Sequence, residues 1–168
     1  GTLTFQQTAS NFYSGLGAGS FIFDPKCYYD RVHQGVVVIF AERGTNPQVS
    51  KILLAVSDDN NPAGVWHKYR IEARMTISGT NYWLDYPGLG YNKDAVVVSG
   101  NMFSFGSGFA GVQYIVVPTA PLLSGGAATA RYIFDEDGSS VQISEVLDPN
   151  LDRVYAASRG GNSSLDIY

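Results

Sequence analysis

Charge is what this sequence has least of. Only 15% of its 168 residues are Asp, Glu, Lys or Arg, and the formal net charge is -4. Lys and Arg nowhere cluster as phosphate neutralisation requires, which argues against a nucleic-acid partner. No apolar run approaches the ~20 residues of a membrane-spanning helix, so no membrane insertion is expected. Nothing at Gly1 reads as a charged-then-apolar leader, and a start at Gly-Thr-Leu is expected of a processed, trimmed or fragmentary chain. The single Cys27 cannot form an internal disulfide and leaves the compartment open. In its apolar, aromatic setting it is expected to be a small buried hydrophobe. Helical spacing is nowhere sustained beyond a turn.

The sequence is instead rich in 19 Gly, 11 Tyr and 9 Phe, a balance that suits strands joined by tight turns. Gly35 to Ala41 and Asp94 to Ser99 are apolar without alternation, so each predicts a strand covered on both faces. Each follows a tyrosine-bearing segment ending in Asp or Asn, Tyr28-Tyr29-Asp30 and Gly90-Tyr91-Asn92. Each leads through a polar, Gly-containing loop to a further apolar run, Ile52 to Val56 and Val112 to Val117. Trp66 to Glu72 closes the first unit with His67, Tyr69 and Ile71 on one face. Lys68, Arg70 and Glu72 look outward on the other, as at a protected sheet edge.

The second unit repeats this order from Trp83 to Phe134, and a third begins at Val141 and continues through Val154 to Ala157 and Leu165 to Tyr168. The expected organisation is a single all-β domain or fragment over 1–168. Its antiparallel meanders lie at about 21–75, 82–136 and 140–168, and residues 1–20 form an N-terminal strand (Thr2 to Thr8) and a Gly-rich loop.

Four-stranded meanders recurring at ~40–60 residues are the signature of β-propeller blades. The wording is also that of a known family. Asp24-Pro25-x-x-x-Tyr29-Asp30 comes first, then Ala55-Val56-Ser57 and Asn61-Pro62-x-Gly64-x-Trp66-x-x-Tyr69. Asp85-Tyr86-Pro87-x-Leu89-Gly90 and Asp94-Ala95-x-x-x-Ser99-x-Asn101-x-Phe103 follow. In that order, over residues 24–120, these motifs resemble a β-propeller family of secreted, often multidomain bacterial surface proteins, mostly of unassigned function. Ser57-x-Asp59-x-x-x-x-Gly64-x-Trp66 resembles a loosened Asp-box of sialidase-like propellers, a folding element between the third and fourth strands of a blade. The resemblance implies an extracellular or cell-surface module. A closed ring takes at least ~4 blades and this chain supplies about three, so the ring is incomplete. The chain then expects the remainder of a longer polypeptide or neighbouring subunits as its partner. A β-sandwich or jelly roll is the alternative fold.

Catalytic signatures are sparse. The 2 histidines, His33 and His67, have no zinc-ligand spacing beside them, and no Gly-x-Ser-x-Gly elbow is present. No catalytic residue is assigned. Glycoside hydrolysis needs two facing carboxylates, for which Glu42, Glu72 and Asp85 are available, and a sialidase would add arginines such as Arg43, Arg70 and Arg74. Binding is favoured. In the propeller reading, Thr80 to Tyr86, Glu42 to Ser50 and Phe103 to Gly111 share one face. There Tyr82, Trp83 and Tyr86 would stack on sugar rings, with Asp85, Glu42 and Arg43 as polar partners, or else Trp83 and Tyr86 pack between blades. Asp148-x-Asn150-x-Asp152 alternates oxygen donors like half of a calcium loop, which makes Ca2+ the one cofactor to consider, although Asx turns produce the same pattern. Asn162-Ser163-Ser164 is an N-glycosylation sequon. The expected function is an extracellular structural or binding module for glycans or protein partners. A sialidase-like carbohydrate hydrolase and an all-β filament or shell subunit are the alternatives.

Overall fold

The computed structural model describes residue 3, residues 5–160 and residues 164–168. It is an all-β protein of antiparallel sheets, one of them strongly curled into a half-barrel. The first sheet is a meander of β1 (Ile22–Asp30), β2 (Gly35–Thr45), β3 (Gln48–Ser57) and β4 (Trp66–Glu72). The second runs β5 (Met75–Ile77), β6 (Thr80–Tyr91), β7 (Ala95–Ser104), β8 (Phe109–Pro118) and β9 (Arg131–Asp135). The third holds β10 (Gln142–Ile143), β11 (Ala156–Gly160) and β12 (Ser164–Ile167). Among the described residues, helix is confined to α1 (Ala9–Phe12), a 3-10 turn at Ser14–Leu16 and α2 (Thr119–Ser124). None of the described helices is long and apolar enough to cross a membrane.

The apolar runs are strands because three sheets lie one behind another. Val37, Ile39, Ala41, Ile52, Leu54 and Val56 of the first sheet share a core with Leu84, Val96, Val98, Met102, Ile115 and Val117 of the second. The opposite face of the second sheet, at Val97 and Val112, packs on Val141 and Ile143 at the start of the third. The opposite face of the first sheet, at Leu53 and Ala55, receives Tyr13, Phe12 and Leu16 from the N-terminal segment. Both faces of the central strands are thereby covered in large part, as the absence of alternation requires, with Val36, Val38 and Phe40 only half-buried on the outer face of the first sheet.

Two turn devices recur in the first and second sheets. Asp30 Oδ1 accepts from the amides of Val32 (2.9 Å) and His33 (3.1 Å) at the β1–β2 turn. Asn92 Oδ1 does the same for Asp94 (3.0 Å) and Ala95 (2.9 Å) at the β6–β7 turn. Asp24 and Tyr86 each precede a proline, each has positive φ (48° and 51°), and each sits where its strand's register shifts against its neighbour. Such bulges bend β1 and β6 and raise their twist.

Several expectations are corrected. The second sheet has five strands, because Met75–Ile77 forms a hairpin with β6 rather than ending the first unit. Residues 5–8 are not a strand; Thr8 caps α1 through its hydroxyl, which accepts from Asn11 N. Cys27 is exposed, not buried, because the alternate side chains of β1 face away from the core shared with the second sheet. Arg70 does not look outward: it reaches back over the first sheet to Glu42. The sequon residue Asn162 lies outside the described residues.

Candidate functional site

The hairpins that the sequence grouped together meet at one end of the first two sheets. Arg43 leaves β2 on the side facing the second sheet and lays its guanidinium over the Trp83 ring, 4.0 Å from the centroid, with Phe105 at 5.8 Å. Trp83 and Asp85 are two apart on β6 and project to the same side. With the β7–β8 hairpin they line an open dent of about 310 Å³, whose wall includes Phe103, Ser104 and Ser107. The β2–β3 hairpin is tied to the second sheet by Asn81 Nδ2 donating to Gln48 Oε1 (2.7 Å), and Arg74 donates to the Gln48 carbonyl (3.0 Å). Leu84 N donates to the buried Ser50 hydroxyl (2.9 Å), which fixes the β2–β3 hairpin against β6.

The dent holds opposite charges that do not pair with each other. Arg43 makes no ion pair among the described residues, and its Nε is buried without an acceptor. Asp85 uses Oδ1 to accept from Tyr86 N (2.9 Å). A stacked guanidinium keeps its N–H edge free for a carboxylate or carbonyl, and a carboxylate across the same hollow accepts from hydroxyls or an ammonium. The arrangement brings an unpaired guanidinium and a carboxylate to the wall of one open hollow.

The other expected ligand residues lie elsewhere. Glu42 is only 2% exposed and faces the N-terminal segment, held by Arg70 Nε (2.8 Å) and Nη2 (2.9 Å) and by Gly19 N (2.7 Å). Burial alone would raise its pKa, but the Arg70 and Gly19 hydrogen bonds outweigh it and hold the carboxyl below the usual glutamate value. Tyr82 packs against the shared core. Tyr86 is exposed in a separate hollow with Asp24, Pro25 and Pro87, and Lys26 Nζ lies 5.7 Å from its ring centroid. Trp83 has Arg43 on its face and Phe23 edge-on at 6.1 Å, so little of its ring is left for a sugar to stack on. In the sequence Phe103, Phe105 and Ser107 stand only as parts of a loop. Aromatics at alternate positions before Gly106-Ser107-Gly108 are the signal that points to them.

The acidic turn serves the backbone. Asp148 Oδ1 accepts from Asn150 N (2.9 Å) and Nδ2 (3.0 Å), and Asp152 lies 3.7 Å from Arg153. Among the described residues no three His, Cys, Asp or Glu side chains gather at metal-binding range. His33 Nδ1 sits 2.7 Å from the buried Asp30 Oδ2, inside the β1–β2 turn. His67 lies against Gly125, at the end of α2.

Comparison with protein-family models, curated proteins and solved structures finds no match to this chain.

Proposed function

We propose that the chain is a non-enzymatic, extracellular structural and binding module, a β-propeller segment whose end faces are covered by further sheets of a longer polypeptide or by neighbouring subunits. The observation that carries this is the direction of stacking. Val37 and Val97 hold the same place in their meanders. Val37 faces the second sheet and Val97 faces the third. The repeat is head to tail, as in propeller blades, whereas the two layers of a single sandwich turn their inner faces towards each other. The Ser57 to Gly64 turn joins the third and fourth strands of its meander, the place of an Asp-box, and Ser57 Oγ accepts from Val36 N at 2.7 Å. An apolar hollow of about 350 Å³, lined by Phe12, Cys27, Val36, Val38, Phe40 and Trp66, opens on the far side of the first sheet. On the third sheet Leu165 and Ile167 are exposed.

Cys27 lies in the first of these end faces, so its thiol reports whether that face is covered. In a full-length polypeptide or assembly, Cys27 is expected to resist a maleimide that labels this chain alone rapidly. Equal labelling of both forms would overturn the propeller reading.

The ligand site of the module is the Arg43–Trp83–Asp85 dent, and its ligand class is glycans carrying a carboxylate. Glu42 is committed to Arg70, which favours binding over hydrolysis here, because facing carboxylates are what the latter needs. An array of neutral and acidic oligosaccharides is expected to show binding that Arg43→Ala abolishes. Retention on the array that is indifferent to Arg43→Ala, or none at all, removes the glycan assignment.

A further inference from the structure

The two outermost strands of the larger sheets differ in a way that core packing does not explain. β4 carries Lys68, Arg70 and Glu72, half-buried charges that pair over the first sheet with Phe12, Glu42 and Lys51, and no run of exposed apolar residues. β9 is Arg131-Tyr132-Ile133-Phe134-Asp135, and its three central residues are 47%, 58% and 37% exposed. It pairs with β8 on one side, and among the described residues no strand lies on the other. An exposed apolar edge with unpaired backbone groups is a template for another strand.

The sequence of β9 states which strand. Read antiparallel to itself about Ile133, Arg131 falls opposite Asp135, Tyr132 opposite Phe134, and Ile133 opposite Ile133. Opposite charges then close both ends of a row of three apolar cross-strand contacts. Arg131 has no ion pair among the described residues. Asp135 is oriented by its own turn, where Oδ1 accepts from Asp137 N (3.1 Å) and Gly138 N (3.2 Å), and Oδ2 has no hydrogen-bond partner among the described residues. Arg131, Ile133 and Asp135 sit opposite Val116, Tyr114 and Val112 of β8 and so share that face of the sheet.

We propose that β9 pairs with β9 of a second copy of this chain about a two-fold axis through Ile133, joining two second sheets into one continuous sheet. A two-fold contact of this kind is isologous and stops at two copies. It uses a sheet edge and not the end faces, so it stands or falls independently of the propeller reading.

Sedimentation velocity over a wide concentration range tests it. The chain is expected to dimerise. Ile133→Lys sets two ammonium groups against each other at the axis and is expected to weaken the dimer by roughly tenfold or more. Arg131→Asp weakens it less. In a Cys27→Ser background, Ile133→Cys forms a disulfide-linked dimer under mild oxidation. These positions are exposed, and near-ultraviolet circular dichroism is expected to show each variant folded. A chain that stays monomeric overturns the proposal. So does a dimer indifferent to Ile133→Lys, or one that cross-links through Cys27 in the parent chain and not through Ile133→Cys.

Discussion

The first and second sheets use the same turns and bulges but hold their next neighbour in different ways. Between the first and second sheets the contact is made by side chains. Tyr28 and Tyr91 stack at 4.3 Å, Arg43 lies over Trp83, and Tyr69 donates towards the Pro121 and Leu122 carbonyls of α2 (3.2 and 3.1 Å). Between the second and third sheets, backbone hydrogen bonds are added to the packing of Val97 and Val112 on Val141 and Ile143. Tyr91 N donates to the Ser144 carbonyl (3.2 Å), Val146 N donates to that of Tyr91 (2.8 Å), and a parallel bridge joins Tyr91 to Glu145. That close approach requires Gly90, where a Cβ would run into the Ser144 carbonyl and Ile143. Side-chain contacts tolerate repacking, whereas backbone contacts tolerate little. The first junction is therefore the more adaptable of the two.

The largest effect is expected at the first sheet's outer face, where the ion pair is as intolerant of change as the backbone junction. Arg70→Ala strands the Glu42 carboxylate in a buried site and should cost about 2–4 kcal/mol in chemical denaturation, short of a fully buried pair because Arg70 is 26% exposed. The pair also has a sign in pH. Glu42 titrates below the usual 4.5 in the folded protein, so its stabilisation is present above that value and is lost as pH falls through the folded-state pKa. In Arg70→Ala burial is opposed by less, with the Gly19 hydrogen bond left, so the carboxyl takes up a proton more readily and the gap to the parent protein narrows on acidification. A gap that widens towards low pH contradicts this account.

A smaller effect, about 1–3 kcal/mol, is expected for Gly90→Ala, and hydrogen exchange should show it concentrated in the third sheet. Uniform loss of protection across all three sheets would erase the distinction between the two junctions.

What could be read from the sequence was whatever depends on local pattern. Trp66 to Glu72 is β4 to the residue, and the Asp30 and Asn92 turns lie where Asx residues end a tyrosine segment. What could not be read depends on neighbours distant in sequence. Cys27 and Val36 belong to a strand pair that looked fully covered, yet their side chains face a hollow beyond the first sheet. Arg43 and Glu42 are adjacent, so the pleat sends them to opposite faces, and a single ligand site could not contain both. The sequence grouped them because both precede the same hairpin. Arg70 looked like a solvated edge charge because its acceptor stands on β2, with β3 between them.

In the proposed propeller reading, the repeated orientation of the meanders gives the molecule a front and a back. Objects of that kind, when they adhere front to back, do not terminate: they curl until the first meets the last, or they grow as a fibre. The edge pairing proposed for β9 is of the opposite kind, since it counts to two and stops. A protein carrying both kinds of surface would crosslink rings or strands in register, and the ratio of exposed ends to paired edges would set how far it extends.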